Sequence, residues 1–242
     1  MVRTGPVIAL IAQLALLAVL AGTVGLSAVG WLVGAVYGLV VNALLVVGLA
    51  RSGARVLGSA NAVTLFRATL VGGVAALIAD SLVRSVSVPM IVVLAAVALL
   101  LDAVDGRVAR RTRMVSPLGA IFDQEIDAFL ILILSVAVAR SIGLWVLAIG
   151  VARYAYMAAG WLLPWLREPL PPRYWGKVVA ATQGIVLTIA VASFLPAPVT
   201  VGIVATALVL LAESFGRSVW WLWHDRRSRR TTSVHCVGSS AS

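Results

Sequence analysis

Residues 86–105 read VSVPMIVVLAAVALLLDAVD. This is an apolar run of the length that one helical bilayer crossing needs, about 20 residues, and it ends on two aspartates, Asp102 and Asp105. A short basic loop follows. A second run then starts at Pro117, takes in Asp123, Glu125 and Asp127, and continues apolar to 139. Two conclusions follow from this stretch. The chain crosses a membrane as helices, and it gathers its acids where two crossings meet.

Outward from this pair the same kind of run recurs, at 6–26, 28–50, 61–80, 142–163, 177–195 and 198–223, giving eight spans in all. The links are short and carry Gly, Pro or Ser, as at Ser87-Val88-Pro89 and Pro196-Ala197-Pro198. Of the 242 residues, 62% are hydrophobic and 12% charged, where a soluble domain has roughly 45–50% and about 25%. That balance excludes a soluble enzyme, a disordered chain and a fibrous protein. The apolar runs are continuous rather than alternating, which excludes a membrane β-barrel. The expected fold is all-α, a polytopic membrane helical bundle. The first run is nearer 20 residues than the about 7–15 of a signal-peptide core, so it reads as a retained span.

The net charge of +10 is carried almost wholly by arginine, with Lys177 the single lysine. Basic residues lie between apolar runs, so they indicate orientation rather than nucleic-acid binding. With the N-terminus in the cytoplasm, sixteen of the nineteen basic residues fall on the cytoplasmic side, Arg84 and Arg140 fall opposite, and Arg153 lies inside a span. The expected location is the cell membrane, with both termini inside. Residues 51–60 read as a juxtamembrane segment, and 224–242 as a polar, disordered tail. Cys236, His224 and His235 all sit at the C-terminal end, so neither thiolate nor imidazole chemistry is available in the core.

Five of the nine acidic residues lie between 102 and 127. Asp102 and Asp105 are three apart and share a helix face, Asp123 and Asp127 are four apart and share another, and Glu125 points away. An aspartate at mid-membrane costs roughly 2.5–3.5 kcal/mol, and four facing carboxylates repel one another. Divalent cations resolve both costs, and hard carboxylate oxygens suit Mg2+, Mn2+ or Ca2+. Pairing with Arg107, Arg110, Arg111 and Arg113 is the alternative, but it leaves the matched facing of the two pairs unexplained. Gly106 and Gly119 let a bulky ligand approach the backbone, and a guanidinium such as that of Arg110 matches phosphate oxygens. Metals, arginine and glycine at a membrane surface point to a pyrophosphate-bearing ligand.

The pattern Asp102-x-x-Asp105-Gly106-x-x-Ala109-Arg110, eight residues, Gly119-x-x-x-Asp123-x-x-x-Asp127 resembles the signature of the CDP-alcohol phosphatidyltransferases at every fixed position. Asn61-x-x-Thr64-x-x-Arg67 looks like that family's first core helix. The resemblance covers 61–223, a six-helix core, and leaves residues 1–50 as two additional N-terminal transmembrane helices. It implies displacement of CMP from a CDP-linked lipid, usually CDP-diacylglycerol, by an alcohol. It implies two Mg2+ or Mn2+ ions on Asp102, Asp105 and Asp123, with Asp127 as a further ligand and the general base. It further implies a CDP site of Gly106, Arg110, Gly119, Asn61 and Thr64, and a homodimer.

The acceptor is less legible. Arg153, inside a span, reads either as a phosphate ligand for the acceptor or as a structural partner of one aspartate. Lys177 either reaches the same pocket or snorkels to the surface. Glu213 and Arg217, four apart, are expected to pair. Relatives using glycerol 3-phosphate often carry Gly-Lys-x-Lys-Thr followed by Gln; this chain keeps Gly176, Lys177 and Gln183 but has Val179 and Ala180 between them. Ala128 follows Asp127, where several phospholipid synthases have a basic residue. The acceptor alcohol therefore stays unnamed. A divalent-cation transporter, or a non-catalytic membrane protein retaining the motif, is the competing expectation.

Overall fold

The computed structural model describes residues 4–52, 59–112, 117–163, 165 and 174–238. These form eight α-helices: α1 (Thr4–Val24), α2 (Ala28–Ser52), α3 (Ser59–Asp80), α4 (Val88–Thr112), α5 (Pro117–Ile142), α6 (Leu147–Leu162), α7 (Tyr174–Ala192) and α8 (Ala197–Gly238). A 3₁₀ turn, Leu144–Val146, leads into α6. There is no strand among the described residues. The protein is an all-α, multi-pass membrane bundle, and each expected span maps onto one helix.

Proline and glycine set the ends. Pro6, Pro89, Pro117 and Pro198 each fall in the first turn of a helix, where a missing N–H costs nothing. Gly25, between α1 and α2, has a φ of 70°, a conformation that side chains disfavour. Two ends differ from the sequence expectation. α4 runs to Thr112, well past 105, and α8 continues to Gly238 where a disordered tail was expected after 224. Between Gly216 and Gly238 there is neither proline nor glycine, and arginine is a good helix former, so nothing stops the helix. Most of the juxtamembrane segment, residues 53–58, lies outside the described residues.

Six helices are long and apolar enough to cross a membrane: α1, α2, α3, α6, α7 and α8. The apolar stretch of α4, Val88–Val104, is shorter, and α5 is interrupted near its start by Asp123, Glu125 and Asp127. The two helices least suited to lipid are thus the two that carry the acids.

α3 is the central rod. Within its span 78% of residues are buried, whereas the other five membrane-length helices reach 39% at most. Val71, Val74, Leu77 and Ile78 of α3 meet Ile91, Ala95 and Ala98 of α4 and Leu130, Leu134 and Val138 of α5. Lipid is as apolar as leucine, so close packing rather than water exclusion holds such a bundle, and small residues permit it. α2 shows how: Gly30, Gly34 and Gly38 recur every four residues, and a Cβ on any of them would run into Leu26, Leu17 or Gln13 respectively. The outward residues, such as Ile8, Leu32, Leu100 and Val209, are large, apolar and exposed, as a lipid-facing surface requires.

Candidate active site

Three helices build the site. α4 delivers Asp102 near its C-terminal end, α5 delivers Asp123 and Asp127 from its first turns, and α3 delivers Arg67 two turns in. Of the two acidic pairs expected to face each other, Asp102 of the first meets both members of the second. Asp102, Asp123 and Asp127 each offer an oxygen, and these atoms all lie within 4.8 Å of one another.

Arg67 ties the three together. Its Nη1 donates to Asp102 Oδ1, and its Nη2 to Asp123 Oδ1 and, at 3.2 Å, to the Asp123 carbonyl oxygen. Asp127 Oδ1 lies 3.2 Å from the same nitrogen. The guanidinium side chain is 1% exposed, while the three carboxylates are 35–37% exposed. That contrast gives the site a floor and an opening. Arg67 closes it on the buried side, and the carboxylates keep the other side accessible. One guanidinium against three carboxylates leaves surplus negative charge, which is what a divalent cation needs. The sequence reading placed Arg67 among the orientation signals and missed this role. Its position six residues after Asn61 and three after Thr64, on the face of a helix opening beside the acids, was the available signal.

The remaining expected ligands sort as follows. Thr64 is buried one turn before Arg67 on α3, and Gly119 lies one turn before Asp123 on α5. Asp105, Gly106 and Arg110 belong to the last turns of α4 and Asn61 to the first turn of α3, but their side chains lie outside the described residues. The same holds for Arg107 and Arg111, while Arg113 is outside altogether.

Glu125 does point away from the aspartates, and it meets Arg153 of α6. Arg153 therefore pairs with an acid, but with Glu125 rather than with one of the aspartates, as its structural alternative had it. The two side chains are 27% and 33% exposed. Arg153 also lies within Coulombic reach of Asp127, so this pair borders the aspartate cluster. Lys177 is exposed in the first turn of α7. Glu213 pairs with Arg217 as expected and also accepts a hydrogen bond from Trp175 Nε1 at 3.1 Å, which braces α7 against α8. Tyr156 packs on Phe215 with ring centroids 5.3 Å apart, joining α6 to α8. At the opposite end of the bundle Asp80 is fully buried and held by Arg84 at 2.5 Å and by the backbone N–H of Ser27 at 3.1 Å.

A hard-oxygen cluster with a cationic floor, set in a multi-pass bundle, makes a candidate divalent-metal site. A family model described as CDP-alcohol phosphatidyltransferase matches residues 57–222, more than half the chain. The chain belongs to that family, whose members transfer a substituted phosphate group from a CDP-alcohol and generally depend on divalent metal. No curated protein and no solved structure matches it.

Proposed function

We propose that the protein displaces CMP from a CDP-linked lipid, CDP-diacylglycerol by preference, with an alcohol acceptor, forming a phosphodiester phospholipid. The observation that carries this reading is the convergence of Asp102, Asp123 and Asp127 on Arg67, within a chain of this family. Asp102, Asp105, Asp123 and Asp127 would hold two ions, Mg2+ or Mn2+. The donor set suits them, because all four are carboxylates and those of Asp102, Asp123 and Asp127 lie close enough to share an ion. Bound there, such ions neutralise the diphosphate and ease the departure of CMP.

The residues of the chain do the rest. Gly106 and Gly119 let the diphosphate lie against backbone, Arg110 binds its oxygens, and Asn61 and Thr64 face the cytidine. Asp127 takes the proton from the acceptor hydroxyl. The freed oxygen forms a bond to the phosphorus that bears the lipid, and the bond from that phosphorus to the CMP oxygen breaks, with the electron pair leaving on CMP. Arg67 keeps the carboxylates in register throughout. Arg153 binds the acceptor, and Lys177 provides a second cationic contact. The site faces the cytoplasm, where a soluble alcohol meets a lipid, and the active unit is a homodimer. Family membership favours this reading over cation transport, and the one acid at the far end of α3, Asp80, is already committed to Arg84.

The experiment is a CMP-release assay on purified protein with CDP-diacylglycerol and a panel of alcohols: glycerol phosphate, inositol phosphate, inositol and serine. Mg2+-dependent release with one acceptor is expected; none with any would overturn the reading. In the same assay Asp123→Ala loses metal-dependent turnover while the protein still inserts, and retained turnover would count against the metal assignment. Arg153→Ala raises the acceptor KM at least about tenfold, the worth of a hydrogen bond to a charged group, with the CDP-lipid KM unchanged. Equal rises in both would make Arg153 structural.

A further inference from the structure

The family match begins at residue 57, so α1 and α2 lie outside the matched core. They are not loosely attached. At the outer end, the turn after α1 is pinned to α3: the Ser27 N–H donates to Asp80 Oδ1, and Arg84 Nη2 donates to the Val24 carbonyl at 3.3 Å. In mid-bilayer the hairpin sits so close to α3 that a Cβ on Gly72 would lie 2.5 Å from Gln13 and 2.7 Å from Tyr37. Gln13 is itself buried, and its amide reaches the Gly34 carbonyl, fastening α1 to α2.

One side chain of the hairpin goes further. Tyr37 of α2 passes α3 and stacks on Phe129 of α5, ring centroids 4.8 Å apart and planes 23° from parallel. Phe129 is two residues beyond Asp127. α2 therefore contacts two of the three helices that build the site: α3, which supplies Arg67, and α5, which supplies Asp123 and Asp127. Among the described residues the buried Tyr37 hydroxyl has no hydrogen-bond partner, so the ring and not the hydroxyl makes the connection.

We propose that the N-terminal hairpin is a positioning element of the active site, and that Tyr37 is the positioning residue through which it acts, by holding α5 at the offset from α3 that brings the carboxylates together. This rests on the assignment of those carboxylates as metal ligands. Aligned aromatic pairs add to packing beyond their area, and residues in direct contact couple by amounts that a mutant cycle resolves.

The test uses the full chain in detergent, with Mn2+ binding followed by electron paramagnetic resonance and thermal melting recorded beside it. Tyr37→Leu removes the stack and should raise the Mn2+ concentration for half-saturation about three- to tenfold. Tyr37→Phe keeps the ring and should bind as the unaltered protein does, because the hydroxyl it loses is unbonded. Phe129→Leu should match Tyr37→Leu, and the double variant should be no worse than either; Phe129→Leu also serves if Tyr37→Leu does not fold. A Tyr37→Leu protein that melts lower but titrates normally would overturn the proposal, since the hairpin would then be scaffold only. Tyr37→Phe binding as poorly as Tyr37→Leu would overturn the stack as the route. Asp123→Ala separates the two levels. If it leaves Mn2+ binding intact, the metal assignment itself fails; if it abolishes binding while Tyr37→Leu does not weaken it, only the positioning role fails.

Discussion

Asp127→Asn should lower CMP release by about 10²–10⁴-fold, the range that a positioned proton acceptor contributes. Asparagine is nearly isosteric and still offers an oxygen toward a metal, but it cannot take a proton. Asp127 is 35% exposed and lies 3.2 Å from Arg67 Nη2, so it stands open to an incoming hydroxyl while its other side is held. The measurement is release of CMP at saturating CDP-lipid, acceptor and Mg2+, with Mn2+ binding checked in parallel. Turnover within tenfold of the unaltered protein would remove Asp127 from the base role. Loss of Mn2+ binding along with turnover would make it chiefly a ligand.

Arg67→Ala should be the most destabilising single change in the site, and its effect should depend on metal. Removing one partner from a buried ion pair costs about 3–5 kcal/mol, and here three carboxylates would lose their shared partner at once. In EDTA the variant should melt well below the unaltered protein. Mg2+ should then recover much of the difference, because an ion that binds only the folded state stabilises it by mass action. The unaltered protein, which supplies its own positive charge, should respond less to the same addition. Arg67→Lys should fall between them: it keeps the charge but lacks two nitrogens set to reach Asp102 and Asp123 separately. Thermal melts in detergent with and without Mg2+ decide the matter. Equal melting of Arg67→Ala and the unaltered protein in EDTA would show that Arg67 does not hold the acids.

What the sequence revealed and what it hid divide along physical lines. A carboxylate inside an apolar run is costly enough to stand out, and helical spacing assigns it a face, so the meeting of α4 and α5 was legible from residues 102–127 alone. Arg67 was not. It lies 35 and 56 residues from its partners Asp102 and Asp123, and its spacing from Asn61 and Thr64 marks the helix without saying which acids it will meet. Glu125 was correctly turned away from the aspartates, but its destination, Arg153, depends on how α6 lies against α5, which no local period encodes. The hairpin was legible as two spans and nothing more. The every-fourth glycines of α2 announce a tight neighbour without saying which helix it is, and the pairing of Tyr37 with Phe129 exists only after α3 has been placed between them. The end of α8 at Gly238 was not legible either, since past the apolar run no hydrophobic period marks where the helix stops.

The cationic floor of the site also bears on how the protein is made. Arg67 precedes every one of the acids it binds, so a nascent chain has already delivered the counter-charge by the time α5 enters the lipid. The acidic helices can therefore come together with their compensating charge already in place, before any ion is bound.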